Sequence, residues 1–136
     1  MTMSSTPFAL RYEWAQSLYE QSEYLRAAEV LVELVDEATL DGTLHGTTDL
    51  RLLLARAYFH SAQLGRAEAT LRVIVDETPT EGYAHLLLGR TLQRRGRHEE
   101  ARRWLSLAEI LGGFDKPQSY GDDTAGADDT EGPERD

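Results

Sequence analysis

The chain has no cysteine among its 136 residues. That absence excludes a disulfide framework, a thiolate nucleophile and a cysteine zinc site. No apolar run approaches the roughly 18 residues a membrane helix needs. The opening residues, MTMSSTPF, carry neither a basic start nor an apolar stretch, so no secretory signal is expected. A cytoplasmic location is the default for such a chain. The four histidines, His45, His60, His85 and His98, stand at no metal-ligand spacing, and no HExxH occurs. There is no glycine-rich phosphate loop of the GxxxxGK type and no GxSxG nucleophile turn. His98 precedes Glu99 and Glu100 at a predicted helix start, where acids complement the helix dipole, so a structural role is expected of it. These absences argue against an enzyme, a cofactor and a bound metal.

What is present is enough for one domain: 40% of residues are hydrophobic. Charge is uneven along the chain. Residues 1–41 have eight acids and two arginines, net −6, and residues 48–81 are close to neutral at −1. Residues 82–114 have three acids and six arginines, net +3. Residues 115–136 have eight acids against Lys116 and Arg135, net −6. An overall charge of −10 speaks against a general nucleic-acid binder, whose phosphate contacts need a broad basic surface.

Apolar and small residues recur at helical spacing in three copies of one pattern. The stretch 83–111 reads as two helices: Leu86, Leu87, Leu88, Gly89 and Leu92 lie before the Arg95-Gly96 break, and Ala101, Leu105, Ala108 and Leu111 follow it. Thirty-four residues upstream, Ala55 stands for Gly89, Ala67 for Ala101 and Leu71 for Leu105. A third copy has Ala15, Leu18, Ala27 and Leu31, displaced by 40 residues, which places a six-residue insertion at 42–47. Gly in a helix interior costs about 1 kcal/mol against Ala, so Gly89 implies a close helix crossing. Predicted helices run over about 7–21, 23–38, 48–61, 64–77, 81–95 and 98–111. Thr6 is the expected cap before Pro7, Ser22 that of the second helix, and Thr47 or Thr48 that of the third. In the second helix Leu25, Ala28, Leu31, Val32 and Val35 form the expected apolar stripe, with Glu29, Glu33, Asp36 and Glu37 toward water.

A 34-residue helix–turn–helix period with this pattern resembles the tetratricopeptide repeat. The resemblance covers residues 8–113 and implies an all-α, right-handed solenoid of three repeats, about 8–41, 48–81 and 82–113. It also implies that the first helix of each pair lines a concave, partner-binding groove. By register the groove positions are Tyr12, Gln16 and Tyr19; Asp49, Leu52, Arg56, Phe59 and His60; and Tyr83, Leu86, Arg90, Gln93 and Arg94. Aromatics supply area at little rotamer cost, and arginine pairs with carboxylates bidentately. One subtype of the family grips acidic chaperone tails with Lys, Asn, Asn, Lys and Arg. Tyr12, Gln16, Leu53, Tyr83 and Leu87 stand at those positions, and only Gln16 is even loosely similar, so this is not a chaperone-tail clamp.

The expected function is a non-catalytic adaptor or scaffold for a protein or peptide partner. One alternative is a homodimer or larger homo-oligomer assembled through an uncapped sixth helix, at Trp104, Leu107, Ile110 and Leu111. Another is RNA binding through the arginines and aromatics of the groove. Residues 1–6 and the acidic tail 114–136 are expected to be disordered. Phe114 and Tyr120 are the tail residues able to dock, and the tail is a candidate competitor for Arg90 and Arg94. In the insertion, His45 is the one candidate functional residue against a plain reading as a solvent histidine.

Overall fold

Three turns of the same geometry set the architecture. At each, the helix ends in a left-handed residue: Ser22 (φ 64°), Ala62 (φ 63°) and Gly96 (φ 81°). The N–H of Glu23 reaches back to the Leu18 carbonyl at 2.8 Å, that of Gln63 to Tyr58 at 2.8 Å and that of Arg97 to Leu92 at 2.9 Å. Each left-handed residue donates to the carbonyl three positions back, completing a Schellman ending. Ser22 therefore terminates the first helix and does not cap the second. Only the third copy uses glycine, the residue that takes this conformation without steric cost.

The computed structural model describes residues 6–42 and 47–112. It contains helices α1 (Phe8–Glu20), α2 (Tyr24–Leu40), α3 (Thr48–His60), α4 (Leu64–Glu77), α5 (Gly82–Arg94) and α6 (His98–Leu111), and no strand among the described residues. His45, Phe114 and Tyr120 lie outside the described residues. None of the six helices has a side-chain cap. Thr6 departs from expectation here: Pro7 is the residue at the α1 boundary, and the Thr6 carbonyl instead accepts a hydrogen bond from Arg11 Nε at 2.9 Å.

Each helix packs on its neighbours in chain order, α1 on α2, α2 on α3, and so on to α6. Ala27, Ala67 and Ala101, equivalent in the three copies, are all fully buried at the crossings. Gly89 meets the same demand from the other side, since a methyl there would lie 2.5 Å from Leu105 Cδ2. The apolar interior has two lobes joined at α3. Leu50, Leu53 and Leu54 face the α1–α2 lobe, and Leu52 and Ala55 face the α4–α6 lobe. α3 is consequently buried all round, from Leu50 through Tyr58. In α2 the stripe is Ala27, Ala28, Val30, Leu31, Leu34 and Ala38, with Val32 and Val35 at its edge. Leu25 is exposed, because the helix meets its neighbours one step further round than the expected stripe.

Charge pairs repeat with the fold. Arg11 makes a two-pronged pair with Glu37 at 2.6 and 2.9 Å, and Arg51, its equivalent, pairs with Glu77. Each pair joins the start of a repeat's first helix to the end of its second. In the third copy His85 and Leu111 occupy those positions, and the pair is replaced by an apolar contact of His85 with Trp104 at 5.5 Å. A second network ties α4 to the α5–α6 turn. Glu68 accepts from Arg72 at 2.9 Å and from Arg95 and Arg97 at 2.8 Å, and Glu100 closes the ring to Arg72 and Arg97. Burial opposes the ionisation of Glu68, but the hydrogen bond from Arg72 and the charges of Arg97, Arg72 and Arg95 outweigh it and hold its carboxyl below the usual range.

Candidate partner-binding face

The first helices of the three pairs lie side by side, and one arginine spans them. Arg56 on α3 places its guanidinium 5.2 Å from the Tyr19 ring on α1 and 5.6 Å from the Tyr83 ring on α5. All three side chains are buried. Burying a cation costs several kcal/mol unless it is compensated, and two ring faces recover part of that cost. Arg56 thus forms the floor of this face rather than a solvent-facing contact. Leu52, also buried, belongs to the same floor.

Above the floor runs a line of rings and guanidinium. Tyr24, at the start of α2, stacks on His60 at 4.8 Å and meets Tyr19 edge-on at 5.1 Å. His60 meets Phe59 edge-on at 5.5 Å. Arg94 lies 4.7 Å over the Phe59 ring, and its Nη1 donates to the Phe59 carbonyl at 3.1 Å. The planar ends of Tyr24, His60, Phe59 and Arg94 therefore form one ladder from the first repeat to the third. Tyr24 was not in the sequence-derived set. It sits on a second helix, which register alone leaves out, although its place two residues after the Ser22 turn directs it back over α1.

The remaining predicted positions flank this ladder. Tyr12, Gln16, Leu86 and Arg90 are half-buried, and Asp49, Gln93 and Arg94 are exposed. Arg90 enters no ion pair with the described residues. The face thus offers Arg90 and Arg94 beside aromatic and aliphatic surface, while the acid nearest the α5 end, Glu81, is held above the usual carboxylate range by burial and by Asp49. Leu53 and Leu87, two of the five clamp positions, are buried and have no access to a ligand.

The α6 residues form a different surface. Trp104 is half-buried beneath two guanidinium groups, Arg72 at 5.8 Å and Arg103 at 5.6 Å, and lines a cleft of about 460 Å³ with Arg72, Val73, Val75 and Asp76 of α4. Leu107, Ile110 and Leu111 are exposed. In repeat register Leu107 corresponds to Val73 and Ile110 to Asp76, both of which are exposed on α4. These α6 side chains thus lie on an outer face. They are not at the positions by which one repeat stacks on the next, which in α6 are Arg102, Leu105 and Glu109, equivalents of the buried Glu68, Leu71 and Val75.

With this geometry in place, the chain can be compared with known proteins. The family model described as Tetratricopeptide repeat matches twice, over residues 12–82 and 52–116. No curated protein matches. A solved structure of a mutant of MamA is similar with a TM-score of 0.70 at 17% identity, covering 86% of this chain and 61% of that chain. This chain thus spans less than two thirds of the MamA chain, and the likeness is one of fold.

Proposed function

The chain belongs to the tetratricopeptide repeat family, an all-α solenoid and a protein-interaction module, and from that premise we propose that its α1–α3–α5 face binds a peptide segment bearing carboxylates next to an aromatic or aliphatic side chain. The observation that carries this reading is the ladder Tyr24–His60–Phe59–Arg94 with Arg90 beside it. Carboxylates match the two arginines through charge-assisted hydrogen bonds. The flanking rings and Leu86 supply apolar area around them, and such a ring of contact strengthens a charged anchor by excluding water. The rigid Arg56 floor fixes the spacing, so little ordering is left for the moment of binding. The module acts by holding a partner and not by chemistry.

A displayed library of random 12-residue peptides, selected on the full chain, tests the proposal. The selected peptides are expected to be enriched in Asp and Glu next to Phe, Tyr, Trp or Leu. Arg90→Glu with Arg94→Glu should weaken the best of them at least tenfold while leaving the helical signal unchanged. Selected peptides without acidic bias, or affinity indifferent to both substitutions, would overturn it. Binding of a single-stranded RNA instead, with a steep loss on raising salt, would move the reading to the nucleic-acid alternative.

A further inference from the structure

The first helix of a repeat has two apolar faces in this fold, one for its own partner helix and one for the preceding pair. In α3 the second face is Leu50 and Leu54, 4% and 3% exposed, covered by α2. In α5 it is Ala84 and Leu88, both fully buried in the α4–α6 lobe. In α1 the same register positions are Leu10 and Trp14, and they are 54% and 40% exposed. Glu13 and Ser17 lie on that face too, at the equivalents of Leu53 and Ala57. α1 therefore presents a stacking face that keeps large apolar side chains; no helix packs on it among the described residues, and the Arg26 guanidinium of α2 lies 5.9 Å from the Trp14 ring.

At the other end, α6 presents the stacking positions Arg102, Leu105 and Glu109. The junction between the second and third repeats shows what these positions do. There Glu68 of α4 reaches Arg97 at the start of the next second helix, at 2.8 Å. Arg102 is the equivalent of Glu68, and Glu23 is the first-repeat equivalent of Arg97. The same contact is thus available with its charges exchanged, provided that a first repeat follows the third. Arg102 is exposed, and its one ion pair among the described residues is a 3.6 Å contact with Glu99. Glu23 is exposed and in no ion pair with the described residues. The wider fields agree: residues 1–41 carry −6 and residues 82–114 carry +3.

We propose that the α1 face seats α6 of a second copy of this chain, so that copies stack head to tail and continue the solenoid. Leu105 of one copy, which also packs on Gly89 of its own α5, extends onto Trp14 and Leu10 of the next, as Leu71 shares one apolar cluster with Ala84 and Leu88 within the chain. Arg102 of one copy pairs with Glu23 of the next. A contact between two different surfaces of the same molecule does not close on itself at two copies. The product is an open helical polymer that grows with concentration. This stacking leaves the α1–α3–α5 face free, so it stands independently of peptide binding there.

Sedimentation equilibrium of the full chain over a hundredfold concentration range provides the test. The weight-average mass should climb from the 15.3 kDa monomer past the dimer without a plateau, and less steeply at high salt. Arg102→Glu and Glu23→Arg, made separately, should each weaken association by about 3- to 10-fold, because a rim pair is replaced by like charges. Mixing the two variants should restore association, since every junction in an alternating stack then joins opposite charges. Three results overturn the proposal: a strict monomer throughout, a dimer plateau unaffected by either substitution, or a mixture no stronger than its components. A fourth would replace it: amide shifts at Leu10 and Trp14 that respond to removal of residues 115–136 and not to concentration would make the chain's own acidic tail the occupant.

Discussion

Gly89 gives a prediction whose sign is decided by packing. In an exposed helix, Gly→Ala stabilises by about 1 kcal/mol because alanine has the better intrinsic propensity. Here the new methyl would lie 2.5 Å from Leu105 Cδ2, 2.6 Å from its Cγ and 3.3 Å from its backbone nitrogen. Rotation about χ1 and χ2 could swing Cγ and Cδ2 aside at the cost of a less favourable rotamer, since Leu105 is only half-buried, but the backbone nitrogen moves only if α6 moves. Overpacking of this kind costs about 1–3 kcal/mol. Gly89→Ala should therefore be destabilising by about 0–2 kcal/mol net of the propensity gain. At about 4–8 °C per kcal/mol for a domain of this size, the thermal midpoint should fall by up to roughly 15 °C. The diagnostic is a double-mutant cycle followed by thermal or urea unfolding. In a Leu105→Ala background Cγ and Cδ2 are gone and only the 3.3 Å approach to the backbone nitrogen remains, so the same Gly89→Ala change should then stabilise, by up to about 1 kcal/mol. The difference between backgrounds, about 1–3 kcal/mol, measures the contact. If Gly89→Ala stabilises both backgrounds equally, α5 and α6 do not cross where this structure puts them.

Other changes test other parts of the fold by the same unfolding measurements. Ala62→Gly should stabilise by about 0.5–1 kcal/mol, because it relieves a left-handed residue of about 1–2 kcal/mol at some cost in unfolded-chain entropy; Gly96→Ala should destabilise by about 1 kcal/mol, and opposite signs are the essential result. Glu68→Gln removes the one carboxylate shared by three arginines and should cost about 1–2 kcal/mol, discounted because the arginines are partly exposed; an unchanged urea midpoint would refute the network. Stability should also fall in acid. Glu37 is held below the usual carboxylate range by its hydrogen bond from Arg11, Glu100 by those from Arg72 and Arg97, and Glu68 by its three arginines against the opposing effect of burial. The unfolded chain takes up those protons first, so this stability is present above about pH 5 and is lost as pH falls through the folded-state values. Glu81 runs the other way, since its raised value makes stability fall slightly as pH rises through the same region. A urea midpoint flat between pH 7 and pH 3 would contradict the ion pairs.

Much of the fold was legible without coordinates, and the reason is that helical repeats are local. Ala27, Ala67 and Ala101 fall at fixed offsets because each helix pair repeats the same crossing, and Gly89 departs from propensity because a methyl there would run into Leu105. Helix ends were less legible. Ser22 is a common capping residue, yet here it is the left-handed terminator, a role set by the backbone bonds of Glu23 and Ser22 to the end of α1 and not by its hydroxyl. Repeat register also determined which residues belong to the first-helix face. It did not determine which of them reach a ligand: Arg56 and Arg90 are equivalent by register, but Arg56 is fully buried between Tyr19 and Tyr83, whereas Arg90 is only half-buried. Likewise Leu10 and Leu50 are equivalent leucines, one exposed and one buried, because among the described residues only Leu50 has a preceding helix pair packed on it. The sequence by itself determined the pattern within each repeat, since spacing along a helix is fixed by the backbone. Only the tertiary structure decided what lies on either side of each repeat, since burial depends on neighbours that are distant in the chain.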